Sequence, residues 1–551
     1  MARTALPALS QKLRDLPRRA RATARLAQTT GMLWEMHAAG LRAAIRTLGR
    51  DHPNPSAIYA IHAKNRPTHV AVRHHDRVLT FAQLEERLNR LGQGLLARGL
   101  LRKQAALVVL RNRPEFIEIS AGLQRVGAAS VAVSWRSTPK ELGYLVENSG
   151  AKFVFFEHDL HAQVEEAVRG LGFPSERLIA VGGDVPGCTP YESLLDTAPE
   201  ALETDDEAAA VVTYTSGTTG RPKGAVRNFP RDTFVSAVEF IAETPMRTED
   251  IHLVVCPLYH MTAYGFLTFS HLVGATCVIA DDFKPEPFLE LVARHRVTTT
   301  ALVPTMLHRT VALGRGVIEK HRTRSLRAIF SGGSALTGAL AKDAMDLFGD
   351  VVFNFYGATE TGLVTLAKPA DLRAAPGTIG RLLPGNRVLL LDEAGNEVPM
   401  GSVGELFVKN DQLVAGYHKN DSATRESMRD GFFSVGDLAR CDAAGRYFIE
   451  GRKRDMVISG GVNVYPAEVE AALEEHPKIF EAAVIGVPDP EWGERVKAFV
   501  VPEPGAHLDL EEVKTFLRTR LAGPKVPREY AILDKLPRNP TGKVLKGELR
   551  G

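Results

Sequence analysis

Residues 214–224 read Tyr214-Thr215-Ser216-Gly217-Thr218-Thr219-Gly220-Arg221-Pro222-Lys223-Gly224, straight after the strand-like run 208–212. The glycines let the backbone turn tightly and bring N–H groups up to an anion. Thr215, Ser216, Thr218 and Thr219 add hydroxyl donors and Lys223 adds a positive charge, a set that suits phosphate oxygens. The spacing is not that of a Walker A loop, because Pro222 stands where its second glycine belongs. A flexible linker would need neither the Tyr-Thr-Ser opening nor the Pro-Lys-Gly close.

Outward from this loop, short apolar runs alternate with helical patterns. Thr80 and Gln83 are spaced as a capping box, and Phe81, Leu84, Leu88, Leu91 and Leu95 follow on one helical face. A strand is expected at 105–110, a helix opening at Pro114 and a strand at 127–133. Similar runs recur at 153–156, 253–256, 275–280, 297–303 and 328–330. Short buried strands separated by helices predict an α/β fold of parallel sheets with both faces covered. After residue 385 the texture changes. Runs 388–392, 404–408, 431–435 and 447–449 sit between Gly and Asn turns and predict a small barrel-like β unit. Gly451-Arg452-Lys453-Arg454-Asp455 is a polar break. Beyond it, a helix (466–475), two strands (482–487, 496–501) and a helix (508–521) predict a small α+β domain. The expected organisation is a basic extension (1–50), a large domain (51–451) and a small mobile lid (452–551).

The 551 residues are 44% hydrophobic and 24% charged, ordinary globular values that exclude fibrous and disordered chains. Four cysteines without a CxxC pair disfavour a disulfide framework or a zinc site and suit a reduced compartment. A net charge of +3 argues against a nucleic-acid partner. The charge is uneven, with residues 1–50 carrying +8 and the remainder −5. Uninterrupted apolar stretches are too short for a transmembrane helix. Leu33, Met36, Leu41, Ile45 and Leu48 recur at near-helical spacing with Arg42 and Arg46 on other faces. Such a helix suits either peripheral docking on an anionic membrane or packing on its own domain. The expected location is cytoplasmic, with a mitochondrial transit peptide as the alternative reading of the Arg-rich start.

Further motifs follow the loop in order. They are Ser331-Gly332-Gly333-Ser334; Phe355-Tyr356-Gly357-Ala358-Thr359-Glu360, with Asn354 before it; Ser434-Val435-Gly436-Asp437-Leu438; the run Gly451 to Gly461; and Leu536-Pro537-Arg538-Asn539-Pro540-Thr541-Gly542-Lys543. With residues 214–224, they make the chain over roughly 65–551 resemble the adenylate-forming superfamily, in its acyl-CoA synthetase and fatty-acid–CoA ligase branch.

The resemblance implies ATP, Mg²⁺ and CoA. It implies phosphate contacts from Thr215, Ser216, Gly217, Thr218, Thr219 and Lys223, and an adenine pocket at Gly333, Ser334, Asn354, Tyr356 and Gly357. Thr359 would bond the α-phosphate, and Glu360 with Thr215 would hold the metal. Asp437 would accept the ribose hydroxyls, and Arg452 would contact ribose or phosphate. Gly460 and Gly461 would lie beside the pantetheine arm, and Lys543 would bridge the carboxylate and the α-phosphate. Arg454 stands where the family usually has a pivot Asp or Lys.

By the same resemblance His260, Met261, Tyr264, Gly265, Val303, Thr305 and Leu363 line the acid pocket. Their apolar or small character predicts a medium- to long-chain fatty acid, with an aryl acid as alternative. No acid occurs between Tyr259 and Ser270 to hold an ammonium group, which disfavours an amino acid. With eight residues after Lys543, a fused carrier domain is not expected and free CoA is the expected acceptor. Loading of a separate carrier protein and a non-catalytic nucleotide-binding relative are the alternatives. The oligomeric state is left open.

Overall fold

The computed structural model describes residues 22, 24–26, 28–32, 35–48, 54–198, 200, 202, 211–215, 223–227, 231–417, 420–459, 462–490, 492–538 and 544–550. Two large sheets dominate. In the first, Val352–Ala358, Ala328–Ser331, Thr299–Leu302, Ile251–Val254, Thr276–Ile279 and Val70–His74 run parallel in that spatial order. Antiparallel strands close both edges. In the second, Val211–Thr215, Ala129–Ala132, Ala105–Val109, Ala151–Glu157, Leu178–Val181 and Thr189–Pro190 run parallel. The mixed α/β class expected from the alternating pattern is the class observed. Strands buried on both faces carry near-continuous apolar runs, as Ala105–Val109 does.

One core cluster joins the two sheets. It holds Ala106, Val108 and Phe155 of one, Val254, Cys277 and Phe330 of the other, and helices between them. Those helices are Phe81–Ala97, Pro114–Arg125 and Met261–Leu272. Further helices cover the outer faces over separate clusters. Phe81–Ala97 starts as its sequence predicts. Thr80 and Gln83 form a reciprocal capping box, and Phe81, Leu84, Leu88, Leu91 and Leu95 are fully buried.

Pro114–Arg125 is buried on every face. Its charged groups are paired. Glu118 binds Arg77, Arg87 and the Tyr191 hydroxyl, and Arg125 binds Glu85 and Asn89. Burial works against ionisation of Glu115, yet Arg113 and Arg77 hold its carboxyl down at about 2.

A third, antiparallel sheet contains Arg387–Leu391, Gly404–Lys409, Phe432–Cys441 and Tyr447–Arg452. The chain leaves it at Arg452 and builds a fourth sheet on the hairpin Ile479–Asp489 with Gly493–Pro502, flanked by Pro466–Glu474 and Leu510–Arg518. The His308 ring stacks on Phe480 of this last unit at 4.2 Å between centroids.

The N-terminal helix Ala38–Leu48 packs on its own domain, against Ala57–Asn65. The face that packs is not the predicted apolar stripe. Ala44 is buried and Gly40 lies against Asn65, whereas Leu41 and Ile45 are exposed. Small residues permit the close helix approach, which the larger side chains would block. Leu26 joins the central core. No helix among the described residues is long and apolar enough to cross a membrane.

Three histidines are sealed in this core. His62 Nε2 meets the Leu272 carbonyl, His271 Nε2 the Ala71 carbonyl, and His252 Nδ1 the Thr299 hydroxyl. Burial lowers His62 and His271 to about 4 and His252 to about 3, from 6.5. As the pH falls below 6.5 the unfolded chain takes up these protons while the folded chain does not. Stability is therefore complete above pH 6.5 and lost down to about 4, at up to about 1.4 kcal/mol per pH unit for each ring. The denaturation midpoint is expected to fall between pH 7 and 5, and less steeply in His252→Asn. An unchanged midpoint over that range would refute the assignment.

Candidate active site

The motif residues gather where parallel strands end. Ile251–Val254, Thr299–Leu302, Ala328–Ser331 and Val352–Ala358 lead at their carboxyl ends to residues 258–261, Val303, 332–334 and 359–360. Ligands of open α/β sheets bind in the crevice outside such ends. The glycine-rich stretch joins an antiparallel pair, Val211–Thr215 with Lys223–Arg227, in which Thr215 and Lys223 are partners. Ser216, Gly217, Thr218, Thr219, Gly460, Gly461 and Lys543 lie outside the described residues.

On one side of the crevice stands a chain of polar contacts. The Tyr356 hydroxyl donates to Asp437 Oδ2 at 2.6 Å, and Arg452 Nε meets Asp437 Oδ1 at 2.6 Å. Arg452 also donates to the Val435 carbonyl at 3.1 Å. Asp437 and Arg452 are cross-strand partners, so sheet register itself brings them together. Burial, then the Asp437 charge, pushes the Tyr356 phenol well above its usual range and keeps it a donor. Arg452 is the last residue of its strand, so the connection to the small domain is tied directly to this carboxylate.

Glu360 is buried at 7% exposure, and the Tyr417 hydroxyl donates to its Oε1 at 3.0 Å. Among the described residues no Lys, Arg or His forms an ion pair with it. A buried carboxylate whose described hydrogen-bond partner is a phenol suits a cation, and its hard oxygens fit Mg²⁺. Thr359 beside it is half-buried. The Ser331 hydroxyl is buried with no partner among the described residues. Gly332 has no room for a side chain, since a Cβ would sit 2.5 Å from the Phe355 ring. Gly333 takes φ +85°, beside Val303 and Thr262. Gly333 and Ser334 are exposed, whereas Asn354 is buried and donates to the Thr378 carbonyl.

On the other side, Leu258, Tyr259, His260, Met261 and Tyr264 enclose a small pocket with Phe116, Ser120, Gln124, Ser130 and Ala132. Its free volume is about 20 Å³, room for about one water. His260 caps the helix Met261–Leu272 without a side-chain capping bond. Its Nε2 and the Tyr259 hydroxyl are buried without partners among the described residues. Burial brings His260 to about 4, so the ring is neutral at physiological pH. Burial also pushes Tyr264 up to about 12, so its phenol stays protonated. Gln124 Nε2 lies 3.4 Å from that phenol oxygen, and the Ser120 and Ser130 hydroxyls are 3.3 Å apart.

Of the expected acid-pocket residues, His260, Met261 and Tyr264 line this cavity. Gly265, Val303, Thr305 and Leu363 do not; Val303 borders Gly333 instead, and Leu363 packs on the central core. Phe116, Ser120 and Gln124 were missing from the sequence reading, as were Ser130 and Tyr417. A signal existed for the first three. They recur every four residues, one face of a helix, and two of them are polar in an otherwise buried element.

Residues 59–418 match the AMP-binding enzyme family and residues 468–543 its C-terminal domain. The chain is 34% identical to the fatty acid–[acyl-carrier-protein] ligase ScoC of Streptomyces coeruleorubidus, covering 89% of this chain and 95% of that one. It is 35% identical to a feruloyl-CoA synthase of an Amycolatopsis species, over 89% and 96% respectively. The solved anthranilate CoA ligase AuaEII with anthranoyl-AMP superposes with a TM-score of 0.85 at 26% identity, covering 91% of this chain and 97% of that one. The crevice, its buried carboxylates and these likenesses agree that the chain belongs to the AMP-binding, adenylate-forming enzymes, in their acyl-CoA synthetase branch, and is an AMP-forming acid–thiol ligase that uses ATP with Mg²⁺ and CoA.

Proposed function

We propose that the acid is aromatic or arylalkenoic and carries a polar ring substituent. The observation behind this reading is the pocket beyond His260, which has room for one small polar group and is lined by Phe116, Tyr259 and Tyr264 together with the buried Ser120, Gln124 and Ser130. Ser120 and Ser130 pair with each other at 3.3 Å and Gln124 with Tyr264 at 3.4 Å, and these long bonds leave hydrogen-bonding capacity that a saturated tail would not use. A ring hydroxyl or amino group would use it. The likeness to a feruloyl-CoA synthase and an anthranilate CoA ligase supports the same class. A medium- to long-chain fatty acid is the second reading, supported by the likeness to ScoC.

In this reading the neutral His260 donates from Nε2 to an oxygen of the acid. The carboxylate oxygen bonds to the α-phosphorus of ATP while the bond to pyrophosphate breaks. Thr215, Ser216, Gly217, Thr218, Thr219 and Lys223 hold the phosphates, and Thr359 bonds the α-phosphate. Glu360 and Thr215 hold Mg²⁺, which offsets phosphate charge when bound. Asp437 faces the ribose, and Gly333, Ser334, Asn354, Tyr356 and Gly357 surround adenine. Lys543 bridges the two reacting anions, and donors of this kind each contribute about 10²–10³ in rate. The thiol of CoA then attacks the acyl carbon and AMP leaves. The small domain, 452–551, turns about 452–454 between these steps, withdrawing Lys543 and bringing Gly460 and Gly461 to the pantetheine arm.

Thioester formation should be fastest with hydroxylated or aminated aromatic acids. Gln124→Leu should lower kcat/KM for those acids about tenfold, one hydrogen bond's worth, and spare unsubstituted ones. Faster turnover of decanoate than of every aromatic acid would transfer the assignment to fatty acids. Lys543→Ala should abolish pyrophosphate release yet leave transfer from supplied acyl-AMP to CoA intact. Equal loss of both half-reactions would reject the alternating lid.

A further inference from the structure

Away from the crevice, a two-residue turn joins Val70–His74 to Arg77–Thr80 at one edge of the first sheet. His74 ends the first of these strands and His75 opens the turn. His75 has φ +51°, a left-handed conformation that non-glycine residues seldom adopt. Val70–His74 lies parallel to Thr276–Ile279, and two residues past the end of the latter comes Asp281. The register thus delivers two imidazoles and a carboxylate to one point.

Their ligating atoms all lie within 4.8 Å of one another. His74 Nε2 is 2.7 Å from Asp281 Oδ1, and His75 Nε2 is 3.0 Å from Asp281 Oδ2. Zinc–nitrogen and zinc–oxygen bonds of about 2.0–2.2 Å place neighbouring ligand atoms roughly 3 Å apart. These His–Asp separations are therefore already close to the edges of a coordination polyhedron. His75 and Asp281 are more than half exposed, at 67% and 54%, so an ion can enter and water can complete its shell.

We propose that His74, His75 and Asp281 form a binding site for a divalent first-row transition-metal ion, with Zn²⁺ as its representative. Two imidazoles select such ions over Mg²⁺ and Ca²⁺, which take oxygen ligands. Three protein ligands leave the remaining positions to water. The bound ion fastens the hairpin turn to the end of the neighbouring parallel strand, in place of the hydrogen bonds that Asp281 makes with half-buried His74 and exposed His75. None of the three residues belongs to the ATP or acid sites, so the metal of this site is separate from the Mg²⁺ of the reaction.

The test is a Zn²⁺ titration of the full-length enzyme, stripped of metal and free of ATP, in competition with a chromophoric chelator. One saturable site is expected. His75→Ala and Asp281→Asn should each weaken it at least tenfold, because even groups behind the ligands contribute about 10–100-fold. Both variants should keep Mg²⁺-dependent pyrophosphate release, which shows that they fold. A large excess of Mg²⁺ should not displace Zn²⁺. Absence of saturable binding, equal affinity in wild type and both variants, or displacement by Mg²⁺ would each overturn the proposal.

Discussion

The helix Pro114–Arg125 is enclosed between two sheets on all sides, and much of the molecule answers to that enclosure. A buried charge costs several kcal/mol unless it is paired. Glu115, Glu118 and Arg125 therefore draw in Arg77, Arg113, Arg87, Tyr191, Glu85 and Asn89 from strands, helices and loops around them. These contacts position the first β-hairpin, the helix Phe81–Ala97 and the short helical turn Tyr191–Leu194 against one another. Removing one partner would strand its counter-charge in the core. The layer is thus held by electrostatic necessity as well as by apolar burial.

The same helix has polar groups that the network does not consume. Ser120 and Gln124 turn toward the crevice instead, where they meet Ser130 and Tyr264. A buried polar group with hydrogen-bonding capacity to spare is costly in a core but useful in a pocket, since a ligand can use that capacity. His260 Nε2 and the Ser331 hydroxyl fit the same description at other points of the crevice wall. Glu360 adds a buried carboxyl group. Opposite these, the link from Tyr356 through Asp437 to Arg452 joins the crevice to the strand that leads into the small domain. One carboxylate thus ties the crevice wall to the connection that leads into the small domain.

Much of the architecture was legible in contiguous residues. Apolar runs such as 105–110 and 328–330 foretold parallel strands, and both became strands of the two large sheets. The capping box at Thr80 and the stripe from Phe81 to Leu95 appear as read, because a helix start depends on neighbours three or four residues apart. The N-terminal helix was less transparent. Its larger apolar residues marked one face, yet Gly40 and Ala44 make the contact, because close packing of helices favours small side chains that leave no strong hydropathy signal.

The sequence by itself determined the alternation of strands and helices, the change of texture after residue 385 and the order of the nucleotide motifs, all encoded within stretches of about a dozen residues. Tertiary structure alone decided which distant residues share a site. Tyr356 reaches Asp437 across 81 positions, Gln124 reaches Tyr264 across 140, and His74 reaches Asp281 across 207. Such meetings follow from strand order and register. These arise from how the whole chain buries its apolar faces, and no local period in the sequence records them.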